Sequence, residues 1–267
     1  MIGTTFRLEL RRSRSLAFWL AVIAGAYAGT MAVFYPLMKE NAALFEDYMD
    51  IFPEEFMAAF GMTGSLGDPG VFFTTYIGSY VWPIVAAIAG IILATRPVAA
   101  DHDRGFLDLP LSTPIARVPY LGSAIVVQIL VMIVVAVAMV VGAVAVGALV
   151  NAGFDAGRLF LVVPSSAAFG CAIAGVASVL AVVTLSRGMA GGITAGVLFL
   201  MYLANVVATI EPDVEWLATF SAFNYYDTTA LIDEGTVPLL DLGVFTVVAV
   251  VGWIGALVLF RRRDLAA

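Results

Sequence analysis

The sequence predicts an all-α, polytopic membrane protein: six transmembrane helices in one domain over 1–267. Three observations carry that expectation. Of 267 residues, 62% are hydrophobic and only 12% charged, about half the charged share of an average soluble domain. Six separate stretches are long enough to cross a bilayer core, which takes about 20 apolar residues of helix. The arginines collect between alternate stretches. A soluble enzyme, a disordered chain and a collagen-like fibre are excluded by this composition. A disulfide scaffold is excluded by the lone Cys171, and a net charge of −7 argues against nucleic acid as a partner.

The elements follow in chain order. In the arm 1–15, Ile2, Phe6 and Leu10 form one helical stripe, and Arg7, Arg11 and Arg14 an adjoining one. That layout predicts an interfacial helix on the inner leaflet, its arginines near lipid phosphates. Span one covers 16–38, too long for the roughly 7–15-residue core of a secretory signal, so it reads as a retained helix. Pro53, Gly61, Gly64, Gly67, Asp68, Pro69 and Gly70 mark the next connection as non-spanning. Spans two and three cover 71–95 and 118–150, and Asn151-Ala152-Gly153 then makes a tight turn. Span four (159–186) and span five (188–210) are divided only by Ser186-Arg187-Gly188. Span six covers 242–260.

Orientation follows from arginine placement. With the N-terminus inside, 11 of the 13 basic residues fall on the inner side, leaving Lys39 and Arg158 outside. The acids segregate oppositely, so the inner face carries about +6 and the outer about −13. Both termini are therefore expected in the cytoplasm of a multi-pass cell-membrane protein.

No Asp, Glu, Lys, Arg or His lies inside the six stretches as drawn. A charge at mid-bilayer costs about 3 kcal/mol or more and persists where function needs it. Its absence disfavours ion-coupled transport. The polar residues within the spans, Gln128 and Asn205 among them, fit helix-to-helix or backbone hydrogen bonding better than a translocation path. With Tyr202 and Phe223 they are nonetheless the candidates for lining one. Small residues recur every four positions at Ala21, Gly25 and Gly29, at Ala167, Cys171 and Gly175, and at Gly188, Gly192 and Gly196. Such rows report close helix packing, within the chain or across a dimer.

Catalytic readings fail on missing partners. Glu54 and Glu55 form a carboxylate pair, but the sole histidine, His102, is expected on the opposite side, so no metal site assembles. Asp101, His102 and Asp103 are adjacent and do not share a helix face. No phosphate-binding loop ending in Lys-Ser or Lys-Thr exists. The chain is expected to be no enzyme and to bind no cofactor or metal, so ATP-driven transport would need another subunit.

The loop Asp103-Arg-Gly-Phe-Leu-Asp-Leu-Pro-Leu-Ser-Thr-Pro-Ile-Ala-Arg117 resembles the signature of type-2 ABC exporter permeases. Phe52-Pro-Glu-Glu-Phe56 with Phe60-Gly61, Phe220-Ser-Ala-Phe-Asn-Tyr-Tyr226 and Phe260-Arg-Arg-Arg-Asp-Leu265 resemble that family at matching places. Asp103, Phe106 and Pro110 depart from its pattern. The resemblance implies that 98–109 is a cytoplasmic coupling helix docking on an ATPase subunit. Asp101, His102, Asp103, Arg104, Phe106, Leu107 and Asp108 would be its contacts. It implies that the arm with Arg7, Arg11 and Arg14 is an elbow helix, and that 212–240 supplies short outer helices. It further implies a second permease chain, identical or related, and ATP with magnesium on the partner ATPase. The expected function is the permease subunit of an ATP-driven exporter. The alternative is a carrier or channel working without an ATPase.

Overall fold

The structure, a computed structural model, describes residues 2–44, 51–53, 57–58, 65, 67–101, 117–226, 228, 232 and 235–262. The described residues contain six helices long and apolar enough to cross a membrane. In chain order they are α1 (Ile2–Glu40), a second span 69–100, α4 (Arg117–Leu149), a fourth span 156–184, α7 (Arg187–Ile210) and α8 (Leu239–Arg262). The second span joins α2 (Pro69–Phe73) and α3 (Val81–Thr95) through a π turn at Thr74–Ser79, and ends in another at Arg96–Ala100. The fourth joins α5 (Ala156–Phe160) to α6 (Val162–Thr184).

Local chemistry sets the ends. Asp68 starts the second span, its carboxylate accepting from the amides of Gly70 at 2.7 Å and Val71 at 3.0 Å. Both wide turns lie against prolines, Pro83 and Pro97, which have no N–H to give the helix ladder. After α4, Asn151 and Gly153 adopt φ of 54° and 76°, making the expected tight turn. Leu185 ends α6 in the left-handed region at φ 52°, and Ser186 caps α7 by accepting from the Met189 amide. The thin boundary at Ser186-Arg187-Gly188 is thus a real break.

Burial ranks the helices. Within its most apolar stretch the fourth span is 67% buried and α7 only 11%, so α6 is central and α7 peripheral. α1 lies along α4, and α6 packs on α8 and α3. Two crossings bring backbones together. A Cβ at Gly142 would fall on the Gly25 carbonyl, and one at Gly252 would lie 2.6 Å from the Gly175 carbonyl carbon. The first two small-residue rows are therefore packing faces within the chain. The third is not: a Cβ at Gly188, Gly192 or Gly196 would meet no heavy atom within 4 Å.

The N-terminal arm departs from expectation. α1 runs unbroken from Ile2 to Glu40, so the arm 1–15 and span one belong to one helix. No glycine or proline lies between Phe6 and Ala24 to interrupt it. At 1.5 Å per residue, 39 residues reach about 58 Å, well beyond a roughly 30 Å hydrocarbon core. Its buried stripe also differs. Thr5, Glu9 and Ser13 are buried, in line with Leu20, Ala24, Ala28 and Ala32 further along. Leu10 is exposed and Phe6 only half-buried. Arg7, Arg11 and Arg14 are exposed, as the arginine stripe predicted.

Between α7 and α8, Pro212–Phe220 forms a short 3-10 helix, in the region where short outer helices were expected.

Candidate functional site

Two regions gather polar or aromatic side chains beyond what packing needs. The first lies where the second span ends. Asp101 is 3% exposed. Arg12 grips it with both guanidinium nitrogens, Nη1 donating to Oδ2 at 3.0 Å and Nη2 to Oδ1 at 2.7 Å. Arg12 Nη1 also donates to Glu9 Oε1 at 3.1 Å. The Tyr120 hydroxyl lies 3.0 Å from Asp101 Oδ2 and 2.9 Å from the Pro97 carbonyl oxygen, bringing in the start of α4. Thr5 and Ser123 join the same two helices through a 2.8 Å hydroxyl pair. A bidentate arginine–carboxylate pair is among the stronger polar contacts and fixes geometry as well as distance.

Asp101 was expected among the contacts for a docking partner; in the structure its carboxylate is buried and engaged by Arg12 and Tyr120. The residues before it are buried too: Val98 belongs to the main core, and Ala99 packs with Ala181 and Ala190. Thus 98–101 closes the second span instead of opening an exposed helix. His102, Asp103, Arg104, Phe106, Leu107 and Asp108 lie outside the described residues.

The second region is aromatic, at the opposite end of the bundle. Phe169 on α6 stacks on Tyr226 with centroids 4.8 Å apart, and meets Phe245 and Phe223 edge-on at 5.4 and 5.8 Å. The Tyr226 hydroxyl pairs with Ser166 Oγ at 2.8 Å. Complete burial pushes the Tyr226 phenol far above its ordinary pKa, an effect the Ser166 bond only partly offsets. Trp82 ties the second span to the same turn of α6, its Nε1 donating to the Ser166 carbonyl at 3.1 Å.

Two cavities flank Phe169 and Leu198, which line both. One, of about 240 Å³, lies between α6, α7, α8 and the 3-10 helix. The other, of about 360 Å³, is bounded by Tyr80, Pro83, Phe199, Tyr202 and Phe223. No charged side chain lines either one. Tyr202 and Phe223, both named from sequence, therefore meet at one cavity, their rings 5.4 Å apart. Phe169, Tyr80 and Phe199 were missed, because an aromatic residue in an apolar run carries no signal of its own.

The other two path candidates are elsewhere. Asn205 is half-buried and lines neither cavity. Gln128 is 1% exposed with its amide fully engaged. Its Oε1 accepts from Trp253 Nε1 at 2.9 Å, and its Nε2 donates to the Leu93 carbonyl at 3.4 Å. Leu93 lies four residues before Pro97, so an α-helical ladder would have no N–H for that oxygen. Gln128 is a stitch between three helices, not an open wall. Gln128→Leu should lower thermal stability by about 1 kcal/mol, by stranding the Trp253 donor. Adding Trp253→Phe should recover part of the loss. Melting curves in one detergent would show both effects.

Across residues 7–265 the chain matches the family described as ABC-2 family transporter protein. No curated protein matches it. The match covers nearly the whole chain and all six apolar helices, so the chain belongs to the ABC-2 transporter family, as a multi-pass membrane permease of an ABC transporter.

Proposed function

We propose that this permease is driven by a separate ATPase subunit that engages the segment following Asp101, and that it acts in the export direction. Family membership supports this. The single structural observation that supports it most is the buried Arg12–Asp101–Tyr120 junction, which roots that segment in three helices. His102, Asp103, Arg104, Phe106, Leu107 and Asp108 are the proposed docking contacts, with Asp101 as their anchor. ATP and magnesium would reside on the partner, and both termini would face the cytoplasm. A second permease chain, identical or related, would complete the path. The surrounding solvent is the lipid bilayer.

The physical requirement is linkage. ATP must favour one arrangement of the ATPase pair, and the docking contact must pass that preference to the helices. The uncharged, aromatic cavities beside Phe169 suit a lipophilic or amphipathic cargo. Purified alone, the chain is expected to hydrolyse no ATP. In the reconstituted complex, charge reversal at Asp103 and Arg104 together should leave ATP hydrolysis running but cut transport. The loss should fall within the roughly 5- to 150-fold that coupling energies of this kind span. ATP hydrolysis by the isolated chain, or undiminished transport in the double variant, would overturn the reading.

A further inference from the structure

A third cavity, of about 440 Å³, opens at the arginine-rich end of the bundle and borders the Asp101 junction through Arg12. Arg12, Ser15, Leu16 and Trp19 line it from α1, Ile92, Arg96 and Ala100 from the second span, and Arg187 from the start of α7. Its lining is ordered along the membrane normal. On α1, Arg12 is followed one and two turns deeper by Leu16 and Trp19. On the antiparallel second span, Ile92 lies one turn deeper than Arg96. The two helices thus place guanidinium groups at one level and apolar side chains at the next. Trp19 is 58% exposed, so the apolar end is open on the lipid side.

Charge separates the three arginines. Arg12 is met by Asp101 and Glu9. Arg96 and Arg187 arrive from two other spans, and with Arg12 they outnumber those two acids by one. Each also engages a neighbour within the protein. An arginine carries five N–H donors, so such an engagement leaves donors for the oxygens of an anion. The start of α7 adds the positive end of a 24-residue helix. Among the other arginines at this end whose side chains are described, Arg7, Arg11, Arg14, Arg261 and Arg262 are exposed on single helices and line no part of it. Positive flanking of spans places arginines at a membrane surface. It does not by itself converge residues from three spans on one amphipathic recess.

We infer that this cavity binds a phosphate group, carried in the membrane by an anionic phospholipid headgroup, with Arg96 and Arg187 as its cationic wall and Leu16, Trp19 and Ile92 against the first acyl carbons. A basic recess between helices above an apolar floor is the geometry that selects an anionic headgroup over a zwitterionic one. The inference does not depend on ATPase coupling.

Native mass spectrometry of the full chain in detergent, titrated with phosphatidylglycerol or phosphatidylcholine of equal chain length, tests it. The wild type should retain phosphatidylglycerol at about tenfold lower concentration than phosphatidylcholine. Arg96→Gln with Arg187→Gln should abolish that preference, while Arg261→Gln with Arg262→Gln should keep it. Arg187→Gln alone, at an exposed position, should reduce the preference without threatening the fold, and decides the matter if the double variant does not fold. Competition with millimolar glycerol phosphate and inorganic phosphate identifies the source. Resistance assigns the site to lipid, and displacement assigns it to a soluble phosphate, the binding chemistry being upheld either way. Equal retention of the two lipids by the wild type would overturn the site. So would an undiminished preference in Arg187→Gln and in the double variant.

Discussion

Asp101→Ala is expected to destabilise the protein by about 3 kcal/mol, the lower end of the range for breaking a buried ion pair, because Asp101 is buried while Arg12 is 30% exposed. The substitution leaves the Arg12 guanidinium with Glu9 alone and deprives Tyr120 of an acceptor. Arg12→Ala should cost a similar amount for the opposite reason, because Glu9 and Asp101 would then be buried carboxylates without their shared cation. Replacing both Arg12 and Asp101 by alanine should cost less than the two single losses combined, since no stranded charge remains at either position. Unfolding in a single detergent across this double-mutant cycle measures the coupling. Strictly additive losses would show that the pair contributes nothing as a pair.

Gly142→Leu is expected to prevent normal folding. Its Cβ would fall on Gly25, with the Gly25 carbonyl carbon and Cα each at 2.7 Å. A side chain meeting another side chain can turn aside, but here the obstacle is backbone. Overpacking usually costs about 1–3 kcal/mol. The cost here should exceed that range, because α1 would have to lift off α4 along its length. Gly192→Leu, made on a face with nothing within 4 Å of its Cβ, should shift stability by no more than about 0.5 kcal/mol in the isolated chain. Size-exclusion profiles of the two variants in the same detergent give the contrast directly. A normally folded Gly142→Leu protein would contradict the α1–α4 crossing.

The number, order and approximate bounds of the spans were legible because lipid demands long uninterrupted apolar helices, and few other arrangements produce them. Even the weakest boundary, at Ser186-Arg187-Gly188, carried a capping serine in plain view. In the N-terminal arm, amphipathicity scored on apolar residues does not reveal the face packed inside the protein. The arm's buried stripe is instead Thr5, Glu9 and Ser13, a polar face whose partners Ser123 and, through Arg12, Asp101 lie about ninety to one hundred and twenty positions away. Spacing within a helix cannot reveal a partner at that separation. Asp101 misled for the same reason, since an acid beside a loop signature reads as solvated until Arg12 is brought to it. Gln128 could have been found earlier. Pro97 removes the donor for the Leu93 carbonyl, and an isolated amide in the following span is a natural substitute. Tyr202 and Phe223 were named from sequence as path candidates, whereas Phe169, which stands between the two cavities, was not.

The junction at Asp101 also has a mechanical meaning. It sits directly before residue 102, and its carboxylate is clamped to a helix of 39 residues with no glycine or proline near the clamp. A force applied just beyond Asp101 would therefore not fall on the second span alone. The load passes through Arg12 into α1 and through Tyr120 into α4, so three helices share the torque. The second span contributes the two wide turns in this load path, at Thr74–Ser79 and Arg96–Ala100. The protein thus joins an unbroken helix to an interrupted one at a charged rivet.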